Sequence, residues 1–297
     1  MRILLTGASG QVGGALRVPL SALGTVVALD RSQLDLSLPL TIPRVLSEVA
    51  PDLIVNPAAY TAVDRAEDEA EIAYRVNAEA PRQIAAWAAT RGIPLVHFST
   101  DYVFDGSGEQ PWREQDSASP LSIYGASKLA GEVAVREAHG SHLIVRTSWV
   151  YAPQGTNFLR TIVHLSRERS ELRIVADQIG APTPARVIAH IVTTIIEHCR
   201  SALPAQLADV GGIINVATSG ETSWYGFATA IVDRLRARGD RLRVERIVPI
   251  RTQDYPGKAL RPRNSRLNLT RLSRHFGINP PSWEEALAAE LAPFPDR

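Results

Sequence analysis

Residues 2–14 read RILLTGASGQVGG: a short apolar run, then Gly7, Gly10 and Gly13 at three-residue spacing, then the start of an apolar-periodic pattern over 11–22. Strand, glycine turn and helix in immediate succession form the opening unit of a dinucleotide-binding α/β fold. Gly7 permits the tight turn, Gly10 lets backbone amides approach a pyrophosphate, and Gly13 lets the helix lie close to the sheet. The helix N-terminus, with unpaired amides and a positive dipole end, favours the phosphates.

The same alternation continues outward. Strand-like runs fall at 2–6, 25–30, 52–56, 94–99 and 141–146, and helical patterns at 11–22, 41–49, 66–90 and 124–137. RILLT, DLIVN and HLIVR are apolar through their centres, as strands buried on both faces of a parallel sheet are. The expected fold is α/β, a doubly wound parallel sheet of Rossmann type with a smaller C-terminal α+β substrate lobe. After Ser148 the rhythm breaks into Pro- and Gly-rich loops, with a helix pattern at 185–198 and a strand-like run at 212–216 that can rejoin the sheet. The expected division is therefore 1–148 plus about 185–216 for the dinucleotide domain, and about 149–184 plus 217–297 for the substrate lobe.

The chain has 297 residues and is 45% hydrophobic, enough to bury a sizeable core. Its 32 basic and 31 acidic side chains leave a net charge of +1, which argues against nucleic acid as the main partner. The basic stretch from Arg234 to Arg246 reads as a solvated helix face for the same reason. Cys199 stands alone, so no internal disulfide forms and a reducing cytoplasm fits. No apolar run reaches the length of a membrane span, and the N-terminus lacks a signal pattern.

Asp30 closes the second strand about 20 residues past the glycines, where an acid bonds the ribose hydroxyls of NAD. Arg31 can instead pair with the 2′-phosphate of NADP, and a plain strand-end turn is a third reading. Small side chains at Ala58 and Ala59, before Tyr60, allow a cofactor to lie against the backbone. Tyr124-Gly125-Ala126-Ser127-Lys128 places a phenol and an ammonium on one helix face. A phenol has an ordinary pKa near 10, and a neighbouring ammonium is expected to lower it toward working pH. Ser99, Thr100 and Asp101 end the fourth strand, where open α/β sheets place ligands; the Thr100 hydroxyl can bond a substrate carbonyl.

LLTGASGQVG, IVNPAAYTAVDRAE, the asparagine of RVNAE, HFSTDYVFDG, PLSIYGASKLAGE, VRTSWVY, NFLRT, DQIGAPTPA and LRPRNSRL run almost end to end. In these segments the chain resembles the extended short-chain dehydrogenase/reductases and, more narrowly, the dTDP-4-dehydrorhamnose reductases. The resemblance implies reduction of the C4 ketone of dTDP-4-dehydro-β-L-rhamnose by NADPH, with NADH also compatible. It makes Tyr124 the proton donor, Lys128 its tuner and ribose ligand, and Thr100 the partner of the ketone oxygen. Cofactor contacts are implied for Gly7, Ser9, Gly10, Gln11, Val12, Gly13, Asp30, Arg31, Asp35, Leu36, Ala58, Ala59, Tyr60, Asn77 and Ser99. Sugar contacts are implied for Asp101, Tyr102, Val103, Phe104, Trp149 and Asn157, and a diphosphate contact for Arg263.

Family members often dimerise through magnesium held by glutamates from three segments. Here those positions fall on Ala15, Arg186 and Glu290, so no metal-bridged dimer is expected and a monomer or weak homodimer is; stoichiometric magnesium in purified protein would overturn this. Two other functions compete. A nucleotide-sugar 4,6-dehydratase or epimerase shares the Tyr124/Lys128 motif, but a dehydratase commonly carries a second acid where Tyr102 stands. A regulatory homologue from a methionine adenosyltransferase complex need not keep Thr100, Tyr124 and Lys128, and all three are present.

Overall fold

The computed structural model describes residues 1–209 and 212–292. Six parallel strands form one sheet: β1 (Arg2–Leu5), β2 (Thr25–Ala28), β3 (Leu53–Asn56), β4 (Leu95–Thr100), β5 (His142–Thr147) and, much later in the chain, a strand at Ile213–Asn215. Their spatial order is β2-β1-β3-β4-β5 followed by the 213–215 strand, which pairs with β5. The order reverses between β1 and β3, the switch point at which such sheets open a crevice beyond their carboxyl ends.

Alternation along the strands divides the core in two. Ile3, Leu5, Val55, Val96 and Val145 face α1 (Gln11–Ser21) and a long helix at Ala185–His198, whose Ile188, Ile191, Val192 and Ile195 are buried. Leu4, Ile54, Leu95 and Ile144 face the other side, under α2 (Ile42–Val49) and a helix at Ala80–Ala89. Each such aliphatic side chain removed from water is worth about 1.5–3 kcal/mol, so both helical layers are held by the sheet. Trp87 belongs to this second core and donates its indole N–H to Ser47 Oγ at 3.1 Å.

The expected helix over 66–90 is interrupted. It resolves into α3 (Val63–Ala66), α4 (Ala70–Tyr74), a π-helical segment Arg75–Glu79 and α5 (Ala80–Ala89). The wider π turn carries Asn77, whose side chain clips a neighbouring loop. Strand ends shift by a residue or two from expectation: β1 stops at Leu5, after which the Thr6 hydroxyl donates to Asn56 Oδ1 at 2.6 Å, and β2 stops at Ala28 before the Asp30 turn. The helix that follows β4 begins at Ile123 and runs to Glu137 (α6).

A third core gathers Tyr151, Leu159, Ile162, Phe227, Ile231, Trp283 and Leu287. It comes from α7 (Phe158–Glu168) and the helices at Trp224–Ala237 and Trp283–Leu291, beside a parallel strand pair at Glu171–Val175 and Arg246–Ile250. Among the described residues, no helix is long and apolar enough to cross a membrane.

Candidate active site

A cleft of about 1180 Å³ opens above the carboxyl ends of β1, β3, β4 and β5. Its floor begins at the glycine turn. Gly7 has φ +55°, and a Cβ there would sit 2.9 Å from Ala58 Cα. A Cβ on Gly13 would lie 2.1 Å from the Gly7 carbonyl oxygen, so α1 can approach only without one. Gly10 caps α1 with no side-chain hydrogen bond, leaving its first amides for an anion. Ser9, Gln11 and Val12 line the same end, with Arg31, Asp35 and Leu36 beyond the second strand and Ala58, Ala59 and Tyr60 beyond the third. This cradle fits a dinucleotide.

Asp30 does not line the cleft. Its Oδ1 accepts from both the amide and the hydroxyl of Ser32, at 2.8 and 2.6 Å, and these bonds hold its carboxyl below the ordinary range. The strand-end turn is the reading that the geometry favours, and Arg31 is the member of the pair that faces the cleft. Asn77 is likewise fully buried outside the lining. Its Oδ1 accepts the Tyr60 amide at 2.8 Å, and its Nδ2 donates to Tyr60 O and Ser127 Oγ, both at 3.0 Å. It fastens the Tyr60 loop to α6 and is scaffold to the cleft, where cofactor contact was expected.

Thr100, Tyr124 and Lys128 come together on the cleft wall. The Ser122 hydroxyl caps α6 by accepting the Gly125 amide at 3.2 Å. Gly125 is required because a Cβ there would meet Tyr102 O at 2.2 Å. The Tyr102 and Tyr124 rings meet edge to face, centroids 5.5 Å apart. Burial pushes the Tyr124 phenol up to about 12; a hydrogen bond with Thr100 opposes the rise and the Asp101 charge adds to it. The expected depression by Lys128 is absent. The Lys128 ammonium donates to Phe98 O at 2.6 Å, and burial brings it down to about 8 against the pull of Glu132. A phenol so placed keeps its proton at neutral pH, the state that a general acid needs.

Asp101 accepts the Thr100 hydroxyl at 3.1 Å; burial raises its carboxyl to about 7, against hydrogen bonds from Ser265 and Thr100. Ser99, Asp101 and Tyr102 line the cleft. Val103 and Phe104 do not: both are 0% exposed, and Phe104 stacks on Trp112 with centroids 4.6 Å apart. The 3-10 turn Asp101–Val103 carries them into a core, which corrects the expectation that they meet the sugar.

The cleft continues under the third core. Trp149 takes the left-handed region, φ +48°, and stacks on Trp224 with centroids 3.6 Å apart. Gly180 lies beneath, where a Cβ would come within 2.6 Å of Trp149 Cε2. Asn157 caps α7 and donates from Nδ2 to Gln11 Oε1 at 2.9 Å, tying this side to the glycine turn. Arg263 is elsewhere: it is exposed and borders a separate concavity of about 420 Å³ with Glu109, Asp177 and Arg266. The diphosphate contact that the resemblance implied for Arg263 thus lies outside the cleft.

The model of the RmlD substrate binding domain family matches residues 1–295. A dTDP-4-dehydrorhamnose reductase of Burkholderia thailandensis is 47% identical over 293 residues, covering 97% of both chains. That of Escherichia coli K12 is 42% identical over 288 residues, covering 96% of this chain and 95% of the relative. A crystal structure of the Bacillus anthracis dTDP-4-dehydrorhamnose reductase in complex with NADP superposes with a TM-score of 0.88 at 35% identity, covering 98% of each chain. The chain belongs to the dTDP-4-dehydrorhamnose reductase family.

Against this family's pattern, the three expected magnesium positions do not fit a divalent cation. Ala15 has no ligand atom, and the buried Glu290 carboxylate is bonded to the Arg186 guanidinium. Among the described residues no cluster of three or more His, Cys, Asp or Glu side chains suits a metal. Sequence reasoning also missed residues of this reductase cleft. Trp224 lacked any local signal, since its partner Trp149 is 75 residues away. Thr147 ends β5 with its hydroxyl buried, unpartnered and lining the cleft; its place at a strand's carboxyl end was the available clue.

Proposed function

We propose that this chain reduces the C4 ketone of dTDP-4-dehydro-β-L-rhamnose to dTDP-L-rhamnose with NADPH. The observation that carries the reading is the convergence of Thr100, Tyr124 and Lys128 on a cleft whose other end is the glycine turn. Gly7 and Gly10 would hold the pyrophosphate of a dinucleotide whose reduced nicotinamide would supply the hydride. Thr100 holds the ketone oxygen, and Tyr124 gives it a proton as negative charge develops there. The Lys128 ammonium holds the ribose beside the phenol. Trp149, Asn157, Asp101 and Tyr102 shape the sugar end. Residues 1–148 and about 185–216 act as the dinucleotide domain, and about 149–184 and 217–297 as the substrate lobe. A cytoplasmic monomer or weak homodimer suits this soluble-substrate chemistry.

Mixing purified protein with the 4-keto sugar and NADPH tests the reading: one NADPH is consumed per dTDP-L-rhamnose formed, and no consumption refutes it. NADPH is favoured over NADH because Arg31 faces the cleft while Ser32 occupies the Asp30 carboxylate. Arg31→Ala should therefore weaken NADPH by about 10- to 100-fold with little change for NADH, a guanidinium–phosphate contact being worth on the order of 1.5–3 kcal/mol. Equal loss for both cofactors in fluorescence titrations would remove the contact. Asp30→Ala would harm NADH selectively only if its carboxylate met the ribose; with that carboxylate held by Ser32, it should affect both cofactors alike.

Gly180→Ala tests the aromatic platform. The added methyl displaces Trp149 from Trp224, so KM for the sugar rises about tenfold while NADPH affinity holds, a loss of about 1–1.5 kcal/mol in ring contact. Steady-state kinetics showing wild-type KM would exclude a sugar-facing role for the pair.

A further inference from the structure

The segment Val63-Asp64-Arg65-Ala66-Glu67-Asp68 belongs to a motif to which the cleft chemistry assigns no task. It leaves the cleft-lining loop and forms the single turn of α3. Its carboxylates serve two separate elements. Glu67 Oε1 accepts the amide of Ile123 at 2.9 Å, the first residue of α6 and the neighbour of Tyr124. With Ser122 on the Gly125 amide, two of the N-terminal amides that a helix leaves unpaired are held, one of them by a carboxylate from outside the helix.

Asp64 reaches the other way. Its Oδ1 accepts the amides of Lys258 and Ala259, at 2.9 and 3.0 Å, and its Oδ2 accepts from Arg261 Nη2 at 2.6 Å. The Lys258 ammonium pairs with Asp68. These partners lie 190–197 residues downstream, on a strap over 255–263. Arg261 is seated: its side chain is 17% exposed, its guanidinium lies over the Tyr255 ring at 5.4 Å, and a Cβ on Gly257 would come within 2.3 Å of Arg261 Nη1. At its far end the strap touches the segment after Thr100. A Cβ on Gly106 would meet Pro262 Cβ at 2.4 Å and the Arg263 amide at 2.6 Å, and Asn264 N donates to Gly106 O at 3.2 Å. One strap is thus bonded to the element after β3 and to the element after β4, whose strands both end at the cleft.

We infer that Asp64 and Glu67 are positioning residues, a clamp in which one turn of helix holds both the 255–263 strap and the first turn of α6, so that seating the strap fixes where the Tyr124 phenol stands. The catalytic consequence rests on the reductase reading; the mechanical one rests on the hydrogen bonds alone. If the carboxylates were only independent ties, loosening the strap would leave α6 undisturbed. Arg261 separates the two cases, because it does not line the cleft and its hydrogen bonds go to Asp64 and Ala259, away from α6, although its charge is felt by Tyr102.

The test uses the full chain, with amide hydrogen exchange and steady-state kinetics side by side. Glu67→Ala should speed exchange at residues 123–125 and lower kcat about tenfold, as small misplacements of a catalytic group do, with NADPH affinity unchanged. Glu67→Gln keeps a carbonyl acceptor and should recover most of the rate, which also controls for folding. Asp64→Asn and Arg261→Gln should speed exchange over 257–261 and, through α3, over 123–125, with kcat down at least about threefold. Strap variants that loosen 257–261 while leaving 123–125 and kcat at wild-type values overturn the inference. Absence of reductase activity in the wild-type chain would instead remove the proposed function, and exchange at 123–125 would still decide the clamp.

Discussion

Tyr124→Phe lowers kcat for the dTDP sugar by about 10²–10⁴-fold, the usual contribution of a positioned general acid, while NADPH affinity stays within about twofold of wild type. The phenylalanine keeps the ring that meets Tyr102 edge to face, so packing is preserved and only the hydroxyl is lost. Thr100 remains to bond the ketone oxygen, so a residual rate survives. Stopped-flow loss of NADPH absorbance under single-turnover conditions reads the step directly; a rate unchanged from wild type would show that the phenol is not the donor. The pH profile carries a second signature. Tyr124 stands at about 12 and Lys128 at about 8, so the alkaline limb of kcat/KM should fall near 8, where the ammonium is lost and the phenol is still protonated. Stability moves the opposite way. Lys128 is lowered from its ordinary 10.5, so between about 8 and 10.5 the folded chain binds fewer protons at this group than the unfolded chain does, and the group's contribution to folding improves as pH rises. Activity lost at pH 9 without loss of thermal stability is the expected pairing.

What the sequence made legible follows from range. Strand periodicity is local, and the five runs of the first half are strands within a residue or two; the helix pattern at 185–198 matches Ala185–His198. The glycine turn and the Tyr124/Lys128 pair are also local, each being a short motif beside one element. What failed depended on distant partners. The 66–90 pattern is interrupted at 67–69 and widens to a π turn at Arg75–Glu79, where Asn77 bonds Tyr60 and Ser127, 17 and 50 residues away; hydrophobic periodicity does not register a side chain's hydrogen bonds. Val103 and Phe104 were placed at the sugar because they follow Thr100, but Trp112 and Arg146 close over the Phe104 ring and take it into the core. The phenol's raised pKa comes from burial, with the Asp101 charge adding to it, and the lysine expected to lower it donates to Phe98 O instead; none of this is visible in an i,i+4 spacing. Asp30 differs: the strand-end turn is one of its three readings, and Asp followed two residues later by Ser is the local Asx-turn signal that favours it.

Glu132→Ala should cost about 3–5 kcal/mol of stability, the usual result of stripping one partner from a buried ion pair. Glu132 lies four residues past Lys128 in α6, and its two oxygens accept from Arg146 Nε at 2.8 Å and Nη2 at 2.6 Å, with side chains 2% and 4% exposed. The guanidinium also donates to Glu114 O at 3.1 Å and lies over Phe104 at 5.0 Å. Alanine leaves that cation buried with one carbonyl in place of a bidentate carboxylate. At about 2–4 °C per kcal/mol the midpoint of thermal unfolding falls by roughly 10 °C. Glu132→Gln should lose less, since it keeps an acceptor oxygen, and the double variant Glu132→Leu with Arg146→Met should recover much of the loss by removing both charges. The pair also reaches the chemistry. The Glu132 charge supports the Lys128 proton against desolvation, so Glu132→Ala, assayed well below its melting point, should move the alkaline limb of kcat/KM below 8. A limb that stays put while stability falls would confine Glu132 to the fold, and a midpoint within about 2 °C of wild type, under 1 kcal/mol by the same conversion, would show that the buried pair is not what holds α6 to β5.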